Sequence, residues 1–274
     1  MPNHARSASR PVIRFDADGR RDDEDRLAIE EPLEIRIGDE PLAVTMRTPG
    51  DDRELAAGFC LTEGVIGHPD DLVRVERCLE SEAGNVVRVI LTDEVRASRR
   101  EQIQCATRDL YLSSSCGLCG KQTLDRIEQQ TPDIAGRFTV TRDTIASLTE
   151  TMRAKQATFD QTGGLHAAAI FDTAGNLRHL REDVGRHNAV DKVIGQAVLL
   201  NEIPLDPAVL LVSGRSSFEI MQKAAMAGIA FVAAVSAPSS LAVDFATRMN
   251  ITLVGFLRPG RMNVYHDGGR VTGK

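Results

Sequence analysis

The densest chemistry in the sequence lies at Cys116-Gly117-Leu118-Cys119-Gly120. Two thiols three residues apart, with glycine between and after them, can meet across a tight turn. Ser113-Ser114-Ser115 ahead of them implies access to solvent. A helix is expected just after Cys119, over 121–130, and its N-terminal dipole favours thiolate over thiol. Such a thiolate is a sulfur nucleophile that attacks a disulfide or a persulfide. Two other readings stay open. Structural zinc wants four ligands, and without a second C-x-x-C or an H-x₃-H only Cys105 and a distant histidine could complete a set. A thioredoxin-type redox pair would follow a strand inside a βαβ unit, which the pattern around Cys116 does not show. Cys60, Cys78 and Cys105 sit in apolar or helical patterns and read as inert core thiols.

A second chemistry is suggested by Ser213-Gly214-Arg215-Ser216-Ser217 and Ser236-Ala237-Pro238-Ser239-Ser240. Each follows an apolar strand pattern and opens a helix, where unpaired amides and a partial positive charge suit phosphate. If the two strands are parallel neighbours, both loops lie at one sheet edge, the usual ligand position in α/β proteins. Serine capping accounts for either loop alone. The two together with Arg215 point to an anionic ligand. Phe256-Leu257-Arg258-Pro259-Gly260-Arg261 adds two guanidinium groups, which favour phosphate. His166, after Thr162-Gly163-Gly164-Leu165, reads as a satisfied core histidine. Arg181-Glu182-Asp183-Val184-Gly185-Arg186-His187 reads equally as a capping network or a ligand site in one loop.

These residues need elements to hold them. Residues 1–30 are charged, with an acidic patch at Asp22-Asp23-Glu24-Asp25, and read as a mobile tail. Leu33, Ile35 and Ile37 alternate with polar residues and predict a strand, returning through Leu42–Met46. Asp51-Asp52 opens a helix through Leu55 and Phe59, and Leu72–Val75 and Val86–Leu91 are two more strands. The first part, residues 31–125, thus reads as a small α+β domain ending in the cysteine loop. One helix is expected over Arg142–Phe159. Then strands alternate with helices: Leu165–Phe171, a helix around Val190–Val198, Val209–Val212, Ser217–Ala227, Ile229–Val235, Leu241–Met249 and Ile251–Leu257. Residues 126–274 therefore read as an α/β domain with a partly parallel sheet.

Composition narrows the function classes. The 274 residues are 42% hydrophobic with a formal charge of −6, and only 4% aromatic. That argues against non-specific nucleic-acid binding and against a base-stacking platform. The start of the chain lacks an apolar signal region, and the uncharged run Ala224–Val243 is broken by Gly228, Ser236 and Pro238. A soluble cytoplasmic protein with free thiols is expected, without membrane association.

The same residues carry a resemblance. Cys116–Gly120, Gly163-Gly164-Leu165-His166-Ala167-Ala168-Ala169 and Glu182 to Lys192 resemble the formate dehydrogenase accessory sulfurtransferase family, FdhD. So do Leu55–Ile66, Ser213–Lys223, Ser236–Val243 and Val254–Tyr265, so the likeness runs in one order over roughly residues 30–270. The resemblance implies a cytoplasmic carrier of sulfur from a cysteine desulfurase to the molybdenum cofactor destined for formate dehydrogenase. That cofactor is a bis-molybdopterin guanine dinucleotide, for which guanosine diphosphate (GDP) is a surrogate. It implies a persulfide on Cys116 with Cys119 as partner, and cofactor recognition at Phe256, Leu257, Arg258, Pro259, Gly260 and Arg261. Ser213, Arg215, Ser236 and His187 are expected to join them. It further implies a homodimer and a cytidine-deaminase-like fold in the second part. The deaminase zinc signature is absent, so neither a metal site nor deamination is expected.

Overall fold

The structure is a computed structural model, and it describes residues 5–78, 84–100, 103, 131, 134 and 136–273. Cys105, Cys116, Cys119 and the helix expected over 121–130 lie outside the described residues.

The expected mobile tail is instead a hairpin of β1 (Ser7–Asp16) and β2 (Gly19–Ala28). An apolar alternation was absent because the ribbon is held by cross-strand charge rather than by a buried face. Arg14 bonds Asp23 at 2.8 Å and Asp25 at 3.2 Å, so the acidic patch is partly neutralised by the facing strand. At its open end the ribbon is tied to the body by Arg6, which pairs with Asp51 at 2.5 Å.

Next come β3 (Glu31–Ile37), β4 (Glu40–Arg47), α1 (Asp52–Thr62), β5 (Leu72–Arg77), β6 (Val86–Leu91) and α2 (Asp93–Ser98). The strands pair in the order β4-β3-β6-β5, with β3 and β6 parallel and the outer pairs antiparallel. Leu33, Ile35 and Ile37 point inward, as their alternation requires.

After β7 (Val140–Thr141) the expected single helix is two, α3 (Arg142–Arg153) and α4 (Ala157–Thr162). The break has a local cause: Glu182 accepts from the amides of Thr158 at 3.0 Å and Phe159 at 2.8 Å, starting a new helix there. β8 (His166–Phe171) and β9 (Leu177–Asp183) form a hairpin, followed by α5 (Arg186–Leu199), β10 (Val209–Val212) and α6 (Phe218–Met226). Arg181–Asp183 thus end a strand, and only Val184-Gly185 link it to the helix. β11 (Phe231–Ala234), α7 (Ser240–Arg248), β12 (Thr252–Arg258), β13 (Arg261–His266) and β14 (Val271–Thr272) complete the chain.

The large sheet has the order β13-β12-β11-β10-β8-β9. β10, β11 and β12 are parallel, and β8 is antiparallel to β10. The four residues of β10 explain its layers. Leu210 and Val212 face the core shared with α1, α5, α6 and α7, whereas Val209 and Leu211 face α3. The protein is α/β, with one continuous core running under both sheets. Glycine decides how closely α1 crosses α5. A Cβ on Gly58 would lie 1.8 Å from the Asp191 carbonyl oxygen, and one on Gly195 would lie 1.8 Å from that of Glu54.

Candidate functional site

The parallel pairing of β10 and β11 brings the two serine-rich loops to one edge, as the sequence suggested. They zip together beyond the strands: Ser236 N–H donates to Gly214 O at 3.3 Å, and Ser239 N–H to Ser216 O at 3.0 Å. Two of their serines serve the backbone. Ser213 Oγ accepts from Ala167 N at 2.9 Å, and Ser239 Oγ caps α7 through Ala242 N at 3.2 Å. The buried Ser216 Oγ has no hydrogen-bond partner.

A cavity of about 1060 Å³ opens at this edge. One wall is made by strand ends: His166, Ser213, Val235 and Leu257-Arg258-Pro259. Because β8 runs antiparallel to β10, its first residue meets the last residues of the parallel strands. The facing wall is the end of α3 with Met152 and Arg153, then Gln156, then Phe159 and Asp160 from α4. The Arg153 guanidinium lies 4.8 Å from the centre of the Phe159 ring and pairs with Asp160. Gly163-Gly164-Leu165 closes one side. The cavity has the size of a drug-sized or nucleotide-sized ligand, and its mostly apolar surface is set with polar and charged side chains, Thr149 and Glu150 of α3 among them.

The expected binding residues separate into two sets. Ser213, Leu257, Arg258 and Pro259 line the cavity. Arg215, Ser236, Phe256, Gly260, Arg261 and His187 do not line it. Arg258 is turned onto the rim, donating from Nη1 to Val235 O at 2.5 Å and to Leu257 O at 2.8 Å. Phe256 has φ 52, a left-handed value that a bulky residue adopts only under strain. A register shift between Gly255 and Arg258 in the β12–β13 pairing forces it, and the ring stays 44% exposed.

His187 lies in the first turn of α5, the helix packed on the other face of the sheet. Its Nε2 is 3.3 Å from Ser217 Oγ. Burial first, then the charges of Arg186 and Lys223, pushes its pKa down to about 4, so the ring is neutral at pH 7. His166 is not a satisfied core residue: it lines the cavity, and burial and the nearby Arg186 lower its pKa.

The cluster around residues 182–192 proves to be internal scaffolding. Lys192 Nζ is 2.7 Å from Asp183 Oδ2 and donates to Thr48 O at 2.8 Å, with both charged groups fully buried. Asp191 joins Lys223 at 3.0 Å, and Lys223 reaches Thr62 and Glu63 at 2.9 Å each. Burial pushes the Asp191 carboxyl up to about 6, while Lys223 and Thr62 pull it back, leaving it ionised at neutral pH. Among the described residues no His, Cys, Asp and Glu group is placed to hold a metal ion, and no helix is long and apolar enough to cross a membrane. Sequence reasoning missed Arg153, Gln156, Phe159 and Asp160. They follow no ligand motif; Arg153 faces the cavity from the end of α3 with Thr149, Glu150 and Met152, and Gln156, Phe159 and Asp160 follow the break at 154–156.

The model of the FdhD/NarQ family matches residues 28–272. The chain belongs to that family. Among its FdhD relatives, the sulfur carrier protein FdhD of Streptomyces avermitilis is 50% identical over 254 residues, covering 90% of this chain and 89% of that one. The protein of the same name from Mycobacterium tuberculosis is 48% identical over 276 residues, 97% of this chain and 99% of that one. In three dimensions the chain resembles a candidate formate dehydrogenase accessory protein from Desulfotalea psychrophila, solved by crystallography. The TM-score is 0.78 at 25% identity, covering 98% of this chain and 100% of that one. In this FdhD/NarQ chain the segments that carry the family likeness thus serve two ends, cavity wall and interior clamp.

Proposed function

We propose that this protein is a sulfur carrier for formate dehydrogenase maturation, a sulfurtransferase acting in the cytoplasm as a homodimer. The observation that carries the reading is the cavity at the strand ends in a chain that also bears Cys116 and Cys119. The names of its relatives support the sulfur-carrying role, and the cavity supports a nucleotide-bearing substrate. That substrate is molybdenum bis-molybdopterin guanine dinucleotide, held through a guanine nucleotide with Arg258 and Ser213 near its phosphates.

The chemistry balances with the two thiols and a cellular thiol reductant. A Cys116 thiolate attacks the outer sulfur of a cysteine desulfurase persulfide, and the desulfurase thiolate leaves. Cys116 then holds the sulfane sulfur. Attack by the Cys119 thiolate on the Cys116 sulfur forms a disulfide and releases the outer atom as sulfide. The two electrons that reduce the sulfane sulfur come from the dithiol, and the sulfide becomes a ligand of the molybdenum. A cellular thiol reductant reopens the disulfide before the next turnover. The sulfurated cofactor then passes to formate dehydrogenase.

Incubation with a cysteine desulfurase and cysteine, alkylation and peptide mapping test the first step. An added sulfur of one atom is expected on Cys116 and is lost in Cys116→Ala. Finding it on Cys60, Cys78 or Cys105 instead overturns the assignment.

A further inference from the structure

Gln156 occupies the N-cap position of α4, where a polar side chain ordinarily accepts from the first free helix amides. Here it makes no cap bond. The amides it would serve are taken by the two carboxylate oxygens of Glu182, which reaches across from β9. The Gln156 side chain consequently has no hydrogen-bond partner among the described residues, although the residue is only 4% exposed. It lines the cavity. An amide set on the cavity wall without a protein partner is open to a ligand that offers it one.

The amide offers one acceptor and two donors on a single planar group. A phosphate would use only the donors and set its negative charge against the amide oxygen. A flat heterocycle edge with a donor beside an acceptor uses both. Around Gln156 the wall suits a flat ring: Phe159 and Met152 are apolar, and the Arg153 guanidinium lies against the Phe159 ring. The helix wall also carries Glu150 and Asp160, whose carboxylates disfavour phosphate, whereas Arg258, Ser213 and His166 belong to the strand-end wall opposite. We infer that Gln156 is a specificity residue that reads the 2-amino-4-oxopyrimidine edge of the ligand, with its phosphates lying toward the strand ends. Guanine and a pterin share that edge, so either ring of the cofactor carries the required chemistry. The inference rests on the nucleotide reading of the cavity proposed above.

Calorimetric titration of the full chain tests it with three probes: guanosine diphosphate, free pterin and inorganic pyrophosphate. Gln156→Leu should weaken the probe that carries the recognised ring by about tenfold or more, while pyrophosphate binding is unchanged. Gln156→Asn keeps the amide but withdraws it by one methylene, and should weaken the same probe. It guards against a leucine variant that fails to fold. Loss confined to guanosine diphosphate identifies the base, and loss confined to pterin identifies the pterin ring. If the wild type binds guanosine diphosphate and both folded variants bind every probe equally well, the role of Gln156 is overturned and the nucleotide reading stands. If the wild type binds none of the three, both fall together.

Discussion

The seam between α1 and α5 and the cavity wall at the strand ends are built from the same family-like segments, yet they are opposites in finish. At the seam the buried lysines and aspartates pair with one another. Lys192 meets Asp183, and Lys223 meets Asp191 and Glu63. Backbone touches backbone at Gly58 and Gly195 with no room for a methyl group. At the cavity the Gln156 side chain has no hydrogen-bond partner among the described residues, and Arg258 rests on carbonyls at the rim. A buried ion pair is costly to break because the survivor stays charged without water. An open wall tolerates loose ends that a ligand completes. Segments that look alike in their density of charge and glycine therefore differ in role: the seam holds the fold and the wall faces the substrate.

Breaking the seam should have the largest effect. In Gly58→Ala the new Cβ meets backbone on α5, which has no rotamer to escape into. The helices must separate, at a cost of about 3 kcal/mol or more. Differential scanning calorimetry should show a melting temperature lower by roughly 6 °C or more, if the variant accumulates at all. An unchanged melting temperature would mean that the α1–α5 crossing is looser than described.

Cutting the wall should leave stability alone. Arg258→Ala removes a rim cation whose hydrogen bonds go to two backbone carbonyls and to no side chain. We expect a stability change within about 0.5 kcal/mol by urea denaturation. Binding of guanosine diphosphate should weaken roughly ten- to a hundredfold, as for loss of a charge-assisted contact. A large stability loss with unchanged binding would place Arg258 with the scaffold instead.

The smallest effect sharpens the border between the two regions. His187 was expected among the cofactor residues but sits in the first turn of α5, neutral, with a pKa of about 4. Between its ordinary value near 6.5 and that value the unfolded chain binds a proton that the native state refuses. Stability from this group is therefore full above about 6.5 and is lost as pH falls toward 4. His187→Gln should remove the loss. Comparing urea midpoints at pH 7 and pH 5, the variant should gain about 1 kcal/mol relative to wild type at the lower pH. That figure is discounted because 35% of the side chain meets solvent. Guanosine diphosphate binding should be unaffected.

Much of this was legible without coordinates. The alternation of Leu33, Ile35 and Ile37 set a strand and its inner face, because successive side chains on a strand point to opposite sides. The strand–helix rhythm after Leu165 determined the α/β class, and serine-rich turns after β10 and β11 marked the sheet edge. Order in residues 7–28 was hidden, because its cross-strand ion pairs depend on a register that no apolar pattern announces. The exposed edge strand β13 was hidden for the same reason.

The sequence by itself determined the thiol pair, the class of fold and the edge at which the loops gather, since each follows from local spacing and periodicity. The tertiary structure alone decided which of the flagged residues face the cavity. Glu182, far along the chain, takes the amides at the start of α4, so the helix breaks and Gln156 is left free. The same folding carries Asp183, Asp191 and Lys192 inward, where low polarity makes ion pairing with distant partners obligatory. Local sequence records which groups a chain has. Long-range contact decides which of them are already satisfied.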